Sequence, residues 1–116
     1  MIEDLTGAIE ISQRIEAPPD IVFAYLTDSQ RFARWMGVGA ELDPPRRLVM
    51  TWGWEGHPTV PPGSTTVEIT LTPDRGATVL RLRHLGLPDE GERRVHTDGW
   101  ERYTRQLAEL VTTEAR

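Results

Sequence analysis

The chain has 116 residues, of which 38% are hydrophobic and 27% charged, and its 18 acidic and 13 basic side chains give a formal net charge of −5. This length predicts one domain with one hydrophobic core, and the composition excludes a disordered chain. The basic residues are all arginines in runs no longer than a pair, which argues against nucleic-acid binding, and the absence of cysteine excludes disulfides and thiolate chemistry.

The amino terminus predicts neither a secretory leader nor a membrane anchor. Residues 1–5 contain two acidic side chains and no basic one, and the sequence has no run of about 18 apolar residues. We therefore expect a cytoplasmic protein without membrane association.

The first element is a strand, because apolar residues alternate with polar ones over residues 8–16. Prolines at 18 and 19 end the strand and suit the first turn of a helix. This helix should carry the apolar stripe Ile21, Val22, Tyr25 and Leu26. Residues 27–29 then offer an amino-terminal cap for a second short helix with Phe32, Trp35 and Met36 on one side.

The middle of the chain predicts further antiparallel strands. A short strand over 40–43 precedes one whose inward face carries Leu48, Met50, Trp52 and Trp54. Residues 55–63 form a loop rich in proline and glycine. Alternation then predicts a hairpin with a turn at 73–76 and the inward residues Thr65, Val67, Ile69, Leu71, Thr78, Leu80, Leu82 and His84.

The last element is a long helix, because the spacing of apolar residues changes to three or four after residue 88. Its inward face should carry His96, Trp100, Tyr103, Leu107, Leu110 and Val111. These elements bury their apolar faces together only if the sheet curls around the last helix. The sequence therefore predicts an α+β helix-grip fold with a curved antiparallel sheet of about five strands, and a groove between sheet and helix.

Several segments carry a resemblance to a known family. They are the strand end Ile15-Glu16-Ala17-Pro18, Trp35, the stretch from Leu42 to Trp52 with its Asp-Pro-Pro-Arg-Arg turn, Leu82-Arg83-His84-Leu85-Gly86-Leu87, and His96 with Gly99-Trp100. In this order the chain resembles the Hsp90-ATPase-activator-like (AHSA1-like) domains of the START/SRPBCC superfamily. The resemblance covers nearly the whole of residues 1–116 as a single domain, and it implies the helix-grip fold with a cavity beneath the long helix.

The chain departs from this family at one place. Such domains carry a further glycine-rich hairpin between the second short helix and the Asp-Pro-Pro-Arg-Arg turn, where only residues 36–42 stand here. The sheet should therefore be about two strands short, which leaves either the first strand with an unpaired side or the groove with a wider mouth. Exposed strand edges invite pairing with another chain, so a homodimer is one hypothesis.

The candidate ligand-binding residues are the aromatic and polar groups that the patterns direct inward. They are Gln13, Trp35, Met50, Trp52, Trp54, Thr65, Leu82, His84, Trp100 and Tyr103. His84 either contacts a ligand or is a structural histidine bonded to the loop at 87–89. The indoles either line a cavity or fill the core, and Gly99 permits close approach of either the sheet or a ligand.

The sequence shows no catalytic or metal-binding motif. The three histidines have no metal-ligand spacing, and residues 37–39 lack the remainder of a dinucleotide fingerprint, so we predict no cofactor, no metal and no catalytic residue. Asp89, Glu90 and Glu92 are expected in a solvated turn.

The leading hypothesis is binding of a small, largely apolar molecule, in stress response or secondary metabolism. The alternatives are a co-chaperone-like protein-interaction module and a cyclase- or dehydratase-like enzyme in which His84 and Gln13 polarise a carbonyl compound.

Overall fold

A computed structural model describes residues 8–28, 41–43 and 45–114. Its elements are β1 (Ile9–Ile15), α1 (Pro19–Asp28), β2 (Glu41–Asp43), β3 (Arg47–Trp52), β4 (Thr65–Asp74), β5 (Ala77–Leu85) and α2 (Glu90–Glu114). The predicted second short helix, with Trp35, lies outside the described residues. No helix in the described part of the chain is both long enough and apolar enough to span a membrane.

The described strands form one antiparallel sheet in the order β1-β5-β4-β3-β2. This arrangement confirms the α+β helix-grip prediction with five strands, and β1 and β2 are its outer strands. The β4–β5 hairpin turns through Arg75 and Gly76, whose φ angles are 53° and 83°. Two successive positive φ angles are typical of the type I′ turn that suits the twist of a hairpin.

The core lies on one face of the sheet, beneath the two helices. The alternation in β3, β4 and β5 places the fully buried Leu48, Met50, Val67, Leu80 and Leu82 on this face. In α1, Val22 and Leu26 are fully buried, as predicted. Burying one such side chain stabilises the fold by about 1.5–3 kcal/mol, so this layer supplies most of the driving force for folding.

Helix α2 begins with a side-chain cap. Asp89 Oδ1 accepts a hydrogen bond from the backbone N–H of Glu92 at 2.8 Å, which satisfies one of the donors at the helix start. The helix packs most closely against β1, at one side of the sheet. Because α2 does not cover β3 in the same way, a space is left between them.

Two predicted inward residues are exposed. Trp54 is 47% exposed because β3 ends at Trp52, so the alternation of the strand no longer sets the direction of its side chain. Leu110 is also 47% exposed, although its neighbour Val111 is fully buried. Leu107, Ala108 and Val111 already cover the core at this end of the helix, which leaves Leu110 on its outer side.

Candidate functional site

A groove of about 680 Å³ lies between the amino-terminal half of α2 and the end of β3 with its following loop. The sheet side contributes Trp52, Trp54 and His57. Among the described residues, the helix contributes Glu92, Val95, His96, Asp98, Gly99, Trp100, Arg102, Tyr103 and Gln106. These helix positions recur at intervals of three and four, so one face of α2 forms a wall of the groove.

The loop after β3 is held in place by its own backbone. Trp54 N–H donates to the carbonyl of Val60 at 2.7 Å, and His57 N–H donates to the carbonyl of Trp54 at 3.0 Å. Val60 is fully buried and anchors the loop to the core. The His57 ring accepts the backbone N–H groups of Thr59 and Val60 at its Nδ1. The indole of Trp54 is therefore presented from a fixed turn.

Replacing Gly53 by alanine should distort this turn. A Cβ built there lies 1.9 Å from the carbonyl oxygen of Pro61, a backbone atom that cannot rotate away. We expect a loss of about 1–3 kcal/mol in the free energy of unfolding, the usual cost of an overpacked site, measured by urea denaturation.

Gly99→Ala provides the matched control, because no atom lies within 4 Å of a Cβ built there and the position is helical. Alanine should stabilise α2 by about 0.5–1 kcal/mol. Equal effects of the two substitutions would contradict the close packing at Gly53.

A buried hydrogen-bond chain fixes the floor of the groove. Trp100 Nε1–H donates to His84 Nδ1 at 2.9 Å, so the other ring nitrogen of the neutral histidine carries the proton. His84 Nε2–H then donates to Thr65 Oγ1 at 2.8 Å. The Thr65 hydroxyl donates in turn to the carbonyl of Trp52 at 2.8 Å. His84 is thus bonded to Thr65 and Trp100, and the expected bond to the 87–89 loop is replaced by these two.

A second hydrogen-bond chain fixes the exposed indole. Trp54 Nε1–H donates to His96 Nε2 at 3.0 Å, and His96 Nδ1–H donates to the carbonyl of Glu92 at 2.8 Å. Trp54 therefore reaches from the loop to α2 across one end of the groove.

The aromatic rings that belong to these two hydrogen-bond networks are in contact with one another. Trp52 meets Trp54 edge to face with centroids 5.3 Å apart, and it meets Trp100 at 4.9 Å. Trp100 in turn meets Tyr103 edge to face at 5.8 Å. Such contacts add about 0.5–1.5 kcal/mol each beyond the area that they bury. The aromatic wall is therefore preorganised.

Burial and, to a smaller extent, the neighbouring His96 together lower the pKa of His84 to about 4. The ring of His96 lies 5.4 Å away, edge to face. The imidazole of His84 is therefore neutral at physiological pH, in agreement with its hydrogen bonds.

The rim of the groove carries a histidine–carboxylate pair. His57 Nε2 lies 3.2 Å from Glu92 Oε2, and the Glu92 side chain is only 20% exposed. Because Nδ1 of His57 accepts backbone N–H groups, Nε2 carries the proton, and it lies close to the carboxylate without a hydrogen bond to Oε2. The expectation of a solvated turn is therefore wrong for Glu92, which the helix turns toward the loop.

Four of the predicted ligand-binding residues line the groove: Trp52, Trp54, Trp100 and Tyr103. Met50, Thr65, Leu82 and His84 are buried and are not among its lining residues. Gln13 lines a separate cleft between β1 and α2. Trp35 lies outside the described residues.

The predicted pairing of His84 with Gln13 on one carbonyl substrate is not supported by their positions. Gln13 pairs with Leu80 in the β1–β5 register, and His84 lies four residues farther along β5. Four residues of strand span about 13 Å. Gln13 also donates its amide to the carbonyl of Arg14.

The sequence patterns did not identify Glu92, Val95, His96 and Gln106 as residues that line the groove. Their spacing from Trp100 along the helix was the available signal. His57 had no such signal, because a loop residue reaches this site only through the folding of the 53–64 segment.

Comparison with known proteins assigns the family. The profile of the family described as "Activator of Hsp90 ATPase homolog 1-like protein" matches residues 37–112, which is more than half of the chain. The chain belongs to this family. Among curated proteins no relative matches.

Solved structures agree with the assignment. An AHSA1-like protein from Rhizobium etli is 32% identical, with a TM-score of 0.66, and the match covers 97% of this chain and 87% of that one. DynU16, from the dynemicin biosynthetic locus, shows the same fold at 23% identity and TM-score 0.73, with 93% of this chain but 48% of DynU16 covered. The Aha1 dimer from Colwellia psychrerythraea shows it at 14% identity and TM-score 0.72, covering 90% and 96% of the two chains.

Proposed function

We propose that this AHSA1-like domain binds a small, largely apolar molecule in the groove between α2 and β3. The observation that carries the proposal is the space of about 680 Å³ walled by four aromatic side chains. Ligand-binding cavities are typically about 300–1,000 Å³ and are lined by apolar and aromatic groups with few polar ones.

The hydrogen-bond chains support an apolar ligand. The indole N–H groups of Trp54 and Trp100 and both nitrogens of His84 and His96 already have protein partners. These rings therefore offer a ligand their faces and edges rather than hydrogen bonds. The charged groups Glu92, Asp98 and Arg102 stand in the lining as well. We propose that the apolar part of the ligand contacts the rings and that a polar substituent reaches these groups.

The cellular setting is part of the same proposal. DynU16 belongs to a biosynthetic locus, which favours secondary metabolism over stress response as the setting, with the domain in the cytoplasm. A binding role accounts for the aromatic groove without requiring a catalytic group.

Titration with an apolar fluorescent probe tests the proposal, with Trp54→Ala and Gly99→Leu as variants. Trp54 is half-exposed, so its removal should raise the probe Kd about tenfold, chiefly through lost ring contact. Gly99 lines the groove with open space around it, so leucine there should occupy part of the groove and weaken binding while the fold stays intact.

Leu110→Ala is the control, because Leu110 has the same 47% exposure as Trp54 and lies outside the groove. Its probe Kd should equal that of the wild type. Saturable binding that survives Gly99→Leu unchanged would refute the groove as the site.

A second candidate function is catalysis on a bound carbonyl compound, as in cyclase- or dehydratase-like relatives. The His57–Glu92 pair favours it, because an imidazole and a carboxylate 3.2 Å apart at the edge of an apolar groove are both groups that transfer protons. A co-chaperone-like role on an external surface has the family description as its only support.

We also propose that the chain forms a homodimer. The related Aha1 from Colwellia psychrerythraea was solved as a dimer. In the described part of this chain, β1 has a strand neighbour on one side only.

A further inference from the structure

The outer side of β1 has the properties of a pairing edge. Strand β1 stands at the end of the sheet, and within residues 8–28, 41–43 and 45–114 its one strand neighbour is β5. It is seven residues long and contains neither proline nor glycine. Edge strands are commonly kept from pairing by proline, bulges or short length. β1 has no proline and no bulge in its register with β5, and it is not short.

An alternating row of charges crosses the solvent face of the sheet and ends at this edge. Arg47 on β3 pairs with Glu68 on β4, Glu68 lies 3.5 Å from Arg83 on β5, and Arg83 lies 3.6 Å from Glu10 on β1. The signs alternate strictly from strand to strand. The row ends on the carboxylate of Glu10, whose side chain is 56% exposed. A positive group on a neighbouring strand would continue it.

Arg14 of a second copy of β1 can supply that positive group if the two strands are related by a two-fold axis. Glu10 and Arg14 lie two residues on either side of Ser12, and all three are exposed on the same face. Two copies of β1 placed antiparallel about Ser12 therefore bring Glu10 of each copy opposite Arg14 of the other. Residues directly opposite in an antiparallel pair have Cβ atoms about 4.5–5.5 Å apart, within reach of an ion pair.

We propose that β1 is the homodimer interface and that it pairs antiparallel with β1 of a second copy in the register centred on Ser12. This inference rests on the proposed self-association and assigns its surface. A two-fold axis through Ser12 closes the assembly, as an isologous interface requires.

Other registers are less favourable in charge or in the face that they present to the core. A shift that centres the pair on Gln13 places Glu10 opposite Glu16, and one centred on Ile11 leaves Arg14 opposite Ala8. Any register that pairs odd with even residues turns the apolar face of one copy to the solvent side of the other. Only the register about Ser12 forms both Glu10–Arg14 pairs.

The groups on this edge can accommodate the pairing. Arg14 already bonds Glu16 and Asp74, and a guanidinium with five donors can also meet a third carboxylate. On the inner face, Ile9 would stand opposite Ile15, and Ile11 opposite Gln13. Ile11 and Gln13 line a cleft of about 340 Å³ beside α2, which the second copy would partly cover.

A charge-swap experiment tests the register by sedimentation velocity over a concentration series at low salt. In a dimer of the Glu10→Arg variant, each of the two cross-strand pairs joins two arginines. In a dimer of the Arg14→Glu variant, each pair joins two glutamates. Each variant alone should associate at least tenfold more weakly than the wild type. An equimolar mixture should recover association to within about threefold, because both cross-strand pairs are then of opposite charge.

Glu55→Arg makes the same change in net charge as Glu10→Arg, in the loop beyond β3 and three strands away from β1. It should associate like the wild type. Recovery in the mixture also shows that both single variants are folded. A wild type that stays monomeric at the highest concentration would overturn the self-association itself. A dimer that both single variants leave unchanged, or a mixture without recovery, would overturn the β1 register alone.

Discussion

Replacing His84 by leucine is expected to lower the free energy of unfolding by about 2–4 kcal/mol. The ring is fully buried and joins Trp100 to Thr65. Leucine fills a similar space but leaves the indole N–H of Trp100 without an acceptor and removes the donor to the Thr65 hydroxyl. A buried donor left unpaired costs about 1–3 kcal/mol. Urea denaturation at pH 7.5, followed by tryptophan fluorescence, measures the change.

Arg81→Leu is the matched control, since Arg81 lies on the exposed face of the same strand. It should change stability by no more than about 0.5 kcal/mol. A loss below about 1 kcal/mol in His84→Leu would mean that the buried chain of hydrogen bonds does not hold Trp100 in place.

The wild-type protein should lose stability as the pH falls from 6.5 to 4, with His84 alone contributing about 3 kcal/mol. Burial lowers the pKa of His84 from 6.5 to about 4 in the folded state. Between these values the unfolded chain binds a proton at this histidine and the folded chain does not, so acidification favours unfolding. The contribution is fully present above pH 6.5 and is lost as the pH falls through the folded pKa.

Comparison with His84→Leu isolates this contribution from the carboxylates, which titrate in both proteins. The stability gap between wild type and variant should be largest at pH 7.5 and should close toward pH 4. A constant gap across this range would show that His84 does not resist protonation.

The hydrogen bonds also explain why the groove stays preorganised. Trp100 is tied to the sheet through His84, and Trp54 is tied to the helix through His96. Each indole thus bridges the two walls that form the groove. A ligand entering this space would meet rings already in position, which reduces the entropic cost of binding.

Several elements were predictable because their patterns are local. The alternation of Val67, Ile69 and Leu71 in β4, and the change to helical spacing after residue 88, follow directly from where a strand or helix places its side chains. The family-specific segments, such as Leu82 to Leu87, supported the same architecture, and the family profile confirms it. Core positions within regular elements followed for the same reason, apart from Leu110, which lies on the outer side of α2.

The site was only partly predictable, since its residues come from different elements. Trp52, Trp54, Trp100 and Tyr103 were named for their ring size, and they do line the groove. The partners of His84 are 19 and 16 residues away in the chain. No local pattern indicates that Thr65 and Trp100 share one imidazole, or that His57 meets Glu92.

The amino-acid sequence by itself determined the family, the succession of strands and helices along the chain, and the face that most regular elements bury. The buried faces were predictable because side-chain periodicity is a property of consecutive residues. The tertiary structure decided which aromatic rings face open space, which ring nitrogen of each histidine carries the proton, and where the carboxylate of Glu92 lies. These features depend on how closely α2 approaches each strand: it packs most closely against β1, and the groove lies between its amino-terminal half and the end of β3.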